Sequence, residues 1–185
     1  EPLLAAHDVD QEIKECALTA CASLLSALHS SLSEEQTTRL LNLLLERLKT
    51  ETTRIAAIQT FAGIAAAASS PNTTTTTTSE NKSLDLTPIL GDSIQTMASF
   101  LKLQSRSLKQ SSLEALDTVI TNHGLSNEDS KDLYSMVLQE LSYLVVDSDL
   151  YISHLSLWVI ILYYTVLESS NRLWDTTLSL TDSWS

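Results

Sequence analysis

Apolar side chains recur at steps of three and four residues along most of this chain. One stripe runs through Leu40, Leu41, Leu44, Leu45 and Leu48. A second runs through Leu86, Ile89, Leu90, Ile94, Met97, Ala98 and Leu101, and a third through Leu133, Val137, Leu141, Leu144 and Val145. Such steps place the side chains on one face of a helix, so each stripe predicts an amphipathic helix with a buried side. Start signals agree with the stripes. Ser33-Glu34-Glu35-Gln36 has the form of a capping box, in which Ser33 accepts from the first turn and Gln36 reaches back. Ser126 to Asp129 opens the third stripe in a similar polar manner.

Between these helices lies a second set that repeats itself. Segments opening at Asp10, Thr50, Ser105 and Asp149 align column by column. A polar capping residue comes first. The fourth place holds Ile13, Thr53, Leu108 and Ile152, and the next holds Lys14, Arg54, Lys109 and, as the exception, Ser153. The eighth place is small (Ala17, Ala57, Ser112, Ser156) and the ninth aliphatic (Leu18, Ile58, Leu113, Leu157). Asp, Ser and Thr accept hydrogen bonds from the free N–H groups of a first helical turn. A small residue allows a neighbouring helix to approach, and the aliphatic fills the groove beside it. Spacings at the fourth place are 40, 55 and 44 residues, and the long one contains a Ser/Thr-rich stretch at 69–83 with six consecutive threonines. Without those 15 residues it too is 40. HEAT and armadillo repeats run at about 40–47 residues. The expected fold is therefore an all-α superhelix of that type, about four helix pairs over residues 1–185, with 69–83 as a disordered insertion having nothing to bury. Pro2 to Ala6 reads as the end of a helix and Asn171 onward as the start of another, so the segment reads as cut from a longer solenoid.

Composition narrows the picture. Only 3 Gly and 3 Pro interrupt a chain that is 43% hydrophobic, which disfavours turn-rich β architectures. Eleven Lys and Arg against 23 Asp and Glu give a formal net charge of −12. That charge repels phosphate backbones and anionic headgroups, so neither direct nucleic-acid nor membrane-surface binding is expected. The most apolar run, Leu155 to Leu167, has 13 residues, short of the roughly 20 that a spanning helix needs. Cys16 and Cys21 stand five apart on one helix and cannot readily pair, so they read as small buried residues in a reducing compartment.

Chemistry is hard to assemble from what remains. His7, His29, His123 and His154 are scattered, and none stands three or four residues from another His or from a Cys. Asp147-Ser148-Asp149 is followed by Leu150, Tyr151 and Ile152 rather than by the oxygens and glycine of a calcium loop, and a helix cap accounts for both aspartates. Gly63, Gly91 and Gly124 are too far apart for a phosphate loop. No catalytic, cofactor, metal or small-molecule site is expected.

Several strings are less generic than a repeat consensus: Asp8-Val9-Asp10-Gln11-Glu12-Ile13-Lys14-Glu15, Leu45-Glu46-Arg47-Leu48-Lys49, Glu51-Thr52-Thr53-Arg54, Pro88-Ile89-Leu90-Gly91, Leu113-Glu114-Ala115-Leu116-Asp117 and Val146-Asp147-Ser148-Asp149. In this order and spacing they resemble the middle of the cullin-associated, neddylation-dissociated (Cand) family, from about Asp8 to Ser170. The resemblance implies a cytoplasmic and nuclear, non-catalytic HEAT scaffold. Such a scaffold wraps a cullin–RING ubiquitin ligase lacking its ubiquitin-like modifier and promotes substrate-receptor exchange, including assembly of SCF-type ligases. Periodicity alone fits another HEAT scaffold equally well, such as a nuclear transport receptor or a phosphatase regulatory subunit. The positions singled out as a repeat ladder or partner contacts are Asp8, Lys14, Arg54, Lys109 and Asp147. Acids hold the ladder place at Asp8 and Asp147, whereas Leu48 and Leu103 hold it in the other two repeats, so the three cations read as structural or solvated.

Overall fold

The computed structural model describes residues 10–69, 84–123 and 130–182. They form α1 (Gln11–Leu28), α2 (Glu34–Lys49), α3 (Arg54–Ser69), α4 (Thr87–Phe100), α5 (Arg106–His123), α6 (Ser130–Leu144) and α7 (Leu150–Asp182). Helices α1, α3, α5 and α7 pack side by side in one layer, and α2, α4 and α6 in a second. Across the layers α2 packs on α3, α4 on α5 and α6 on α7. This is an all-α helical-repeat solenoid of three hairpins preceded by α1, and the four repeated segments of the sequence are its α1, α3, α5 and α7 layer.

Local chemistry starts the helices where the pattern places them. Asp10 accepts from Glu12 N at 2.9 Å and Ile13 N at 3.4 Å. The capping box at Ser33 and Gln36 is formed in both directions. Asp149 accepts from Tyr151 N at 3.0 Å, and Ser105 accepts from Leu108 N at 3.4 Å. Thr50 departs from this set. Because α2 runs on to Lys49, Thr50 closes that helix, and its hydroxyl donates to Glu46 O at 3.2 Å. Helix α3 then begins at Arg54, after a turn in which buried Thr53 donates to Arg47 O at 3.1 Å.

The core runs continuously between the layers through Leu41, Leu44 and Leu48, Ile58, Phe61 and Ile64, Ile94 and Met97, Leu113, Leu116 and Val119, then Val137 and Leu141. Helix α3 is apolar nearly all round, as a helix covered by α1, α2 and α5 must be. The small column is buried on every helix of its layer: Ala17, Ala57, Ser112 and Ser156. The aliphatic column is buried at Leu18, Ile58 and Leu113 but 44% exposed at Leu157, because α7 has no described helix beyond it. At the other end Ile13 is 41% exposed on α1 for the corresponding reason. The cysteines differ from expectation as well. Cys16 is exposed and Cys21 half-buried, since α1 is covered only on its α2 and α3 sides among the described residues. The final segment is one helix through Asp182 rather than two, and no Gly or Pro interrupts it. No described helix is long and apolar enough to cross a membrane. The Ser/Thr-rich stretch, apart from Ser69 at the end of α3, lies outside the described residues, as does Pro2 to Ala6.

Ser112 carries a local cost. Its hydroxyl is buried with no hydrogen-bond partner among the described residues. An unsatisfied buried hydroxyl opposes folding, and Ala is the better helix former. Ser112→Ala is expected to stabilise the chain by about 1 kcal/mol. A urea midpoint equal to or below that of the parent would contradict this.

Candidate functional site

The ladder cations all sit near the N-termini of adjacent helices in one layer, Lys14 on α1, Arg54 on α3 and Lys109 on α5. Their surroundings differ. Lys109 Nζ lies 2.7 Å from Asp147 Oδ2, in the turn that leads into the next helix of the layer. Asp147 also accepts from Asp149 N at 3.0 Å, which fixes the turn. One rung is thus complete. Arg54 has Leu103 at the place where Asp147 serves Lys109, and its guanidinium lies over the Phe100 ring instead, 4.6 Å from the centroid. Its Nε is buried without a hydrogen bond among the described residues. Of the two expected roles, structural or solvated, Arg54 takes the structural one: an aromatic face stands where a carboxylate would, a contact worth about 0.5–2 kcal/mol depending on desolvation. Lys14 is half-buried, and the corresponding acid place is filled by Leu48, a core residue. Asp8 lies outside the described residues.

Around the complete rung a polar seam joins α5 to α7. Arg106 Nε donates to Asp149, Tyr151 OH donates to Glu114 Oε1 at 3.1 Å, and Trp158 Nε1 donates to Asp117 Oδ1 at 3.1 Å. Lys102 at the head of the same hairpin reaches Glu140 on α6 at 2.9 Å. Ser153, the exception in the basic column, donates to Val145 O and satisfies a carbonyl at the end of α6. The Lys109 ammonium holds the Asp147 carboxyl below the usual carboxylate range, and the Arg106 guanidinium does the same for Asp149. The hydrogen bond to Glu114 raises the Tyr151 phenol. Burial, aided by Tyr163, pushes the Tyr134 phenol up to about 12.

No family model matches the chain. Curated relatives do. Over 154 residues it is 31% identical to "Cullin-associated NEDD8-dissociated protein 1" of Drosophila melanogaster, a match covering 83% of this chain and 11% of that protein. It is also 31% identical over 153 residues to the protein of the same name from Dictyostelium discoideum, and 33% identical over 153 residues to "Cullin-associated NEDD8-dissociated protein 2" of Mus musculus, with the same coverage in both cases. By sequence, the chain is a segment of the cullin-associated NEDD8-dissociated family. It spans about a tenth of the length of these relatives, 11% in each case.

In this Cand-family segment the ladder positions do not converge on one site. Among the described residues only Lys109 and Asp147 meet. His154 is exposed on α7, away from any role in the seam, and His123 bonds through Nε2 to Ala65 O at 3.0 Å, tying the end of α5 to α3. Among the described residues no three His, Cys, Asp or Glu side chains are grouped to hold a metal ion. Sequence reasoning missed the partners at Arg106, Glu114 and Asp117, although a signal existed. The Arg106, Lys109, Glu114 and Asp117 contacts join residues 43, 38, 37 and 41 apart, each close to one repeat period. Pairing polar residues one period apart would have found them.

The seam sets a pH dependence. Asp147 and Asp149 have folded pKa values depressed below an unfolded value of about 3.9. Their contribution to stability is present above that value and disappears as pH falls through the folded values. Asp147→Asn should therefore lower the melting temperature modestly at pH 7, and the difference should shrink progressively as pH falls below about 3.9. A difference that persists undiminished in acid would show that the pair is not electrostatic in origin.

Proposed function

We propose that this segment is a non-catalytic, protein-binding part of a Cand-type solenoid that engages unneddylated cullin–RING complexes and promotes exchange of their substrate receptors, in the cytoplasm and nucleus. One observation carries the reading: similarity to relatives named as cullin-associated and NEDD8-dissociated extends over 83% of the chain, across a stretch that folds as consecutive helical repeats. The charged side chains of the seam are engaged with one another between repeats, a use that fixes the angle of α7 against α5 rather than presenting a reactive centre. A solenoid transmits such angles along its length, so these repeats set the curvature with which distant parts of the longer protein grip one partner.

The test is a pull-down with the full-length protein carrying this segment, comparing cullin–RING complexes with and without the NEDD8 modifier. Strong retention of the unmodified complex and little of the modified one is expected. Equal binding to both, or to neither, overturns the proposal.

A further inference from the structure

Between α2 and α4 lies a cavity of about 190 Å³ that the ladder does not touch. Its floor is apolar, formed by the buried side chains of Leu41, Leu84 and Ile89. Its mouth carries two exposed carboxylates, Glu34 from the first turn of α2 and Asp85 from just before α4. Asp85 accepts from Thr87 N at 2.9 Å, and hydrogen bonding to Thr87 holds its carboxyl below the usual range, so it is ionised at neutral pH. Among the described residues its lining holds no Lys or Arg, and His29 is its one other titratable side chain. Through Glu34, Thr38 and Asn42 it adjoins a shallow groove of about 740 Å³ along α2, which among the described residues adds Glu35, Glu46 and one cation, Arg39.

A buried apolar floor under an anionic mouth suits a side chain with a long hydrocarbon stem and a cationic head. Lys and Arg bury their stems along apolar surface while keeping the charge at the rim. The groove beyond suits an extended chain with further positive charge, and the chain's net charge of −12 draws such a partner in. The geometry points to a docking site for a basic segment of a protein partner, with one Lys or Arg side chain inserted between α2 and α4 and the flanking residues lying along α2. Ion pairs at the rim set encounter rate and register, and the inserted stem supplies the desolvated contact that slows release. This inference is independent of the cullin reading.

The test uses the full chain and a fluorescein-labelled peptide of alternating Gly and Arg, with the Gly/Gln peptide as control. Fluorescence anisotropy should show saturable binding of the Arg peptide only, weakening steeply as salt rises. Glu34→Gln combined with Asp85→Asn should weaken it at least tenfold, whereas Glu12→Gln combined with Glu51→Gln, which removes the same charge outside the cavity, should change it less than twofold. Asn42→Trp, which obstructs the cavity and leaves every charge in place, should also weaken it at least tenfold, with unchanged helical circular dichroism confirming the fold. Absence of saturable binding, an equal loss in both charge pairs, or full binding by Asn42→Trp overturns the docking site and leaves the cullin reading standing.

Discussion

Replacing Phe61 with Ala is expected to destabilise the fold by about 3–5 kcal/mol. Phe61 is on α3 and 1% exposed, among the largest fully buried side chains. Helix α3 packs against α1 and α5 within its layer and against α2 across it. Truncation there removes apolar area and leaves a cavity that three neighbours would have to move to fill. The surrounding helices are held by their own repeats, so collapse is incomplete and the cavity term persists. The position matters further in a solenoid, where stability is a sum of repeat terms and nearest-neighbour interfaces. A lesion in α3 weakens the coupling of α1 and α2 to everything that follows. Urea unfolding of the 185-residue chain should show a large fall in midpoint, with the transition broadening as the first helices uncouple. A loss below about 1 kcal/mol would mean that α3 is not the centre of the packing.

The order of the helices was legible because its signals are local. Capping residues, apolar steps and a period near 40 residues each report on a single helix or on the next one along. The small column at Ala17, Ala57, Ser112 and Ser156 was legible for the same reason, and all four are buried. Thr50 misled because a polar residue between two helices can close the first or open the second, and only the length of α2 decides. Cys16 and Leu157 misled because burial needs a neighbour, and helices at the ends of a described stack lack one on one side. The ladder was half legible. Lys109 and Asp147 follow the repeat rule, while Arg54 turns to Phe100, an aromatic partner outside the charge pattern. The cavity between α2 and α4 was not legible at all. Its walls come from residues between 29 and 42 and between 84 and 89, and no local period links them.

The small column makes the sharpest demand on packing, and enlarging it should be the second costly change. Ala57 is fully buried, in the second turn of α3, where that helix is flanked by α1 and α5. The other members of the column are Ala or Ser, so each helix of this layer offers a notch into which a neighbour settles. Leu at position 57 adds three carbons where the interior is already close-packed, with Ile58 and Phe61 filling the flanking space. Either the side chain leaves its preferred rotamer or α3 moves off its neighbour, at a cost of about 1–3 kcal/mol. The direction contradicts a simple hydrophobic count, which credits the larger residue with more buried area. Helix propensity does not oppose the change strongly, because Ala and Leu are both good formers. The loss must therefore come from packing, and Ala57→Leu should lower the urea midpoint while leaving helical circular dichroism intact below the transition. Ala66→Leu, at an exposed position on the same helix, should leave the midpoint within about 0.5 kcal/mol of the parent. If Ala57→Leu matched that control, the notch would be absent and the helices of this layer would be spaced by something other than their small residues.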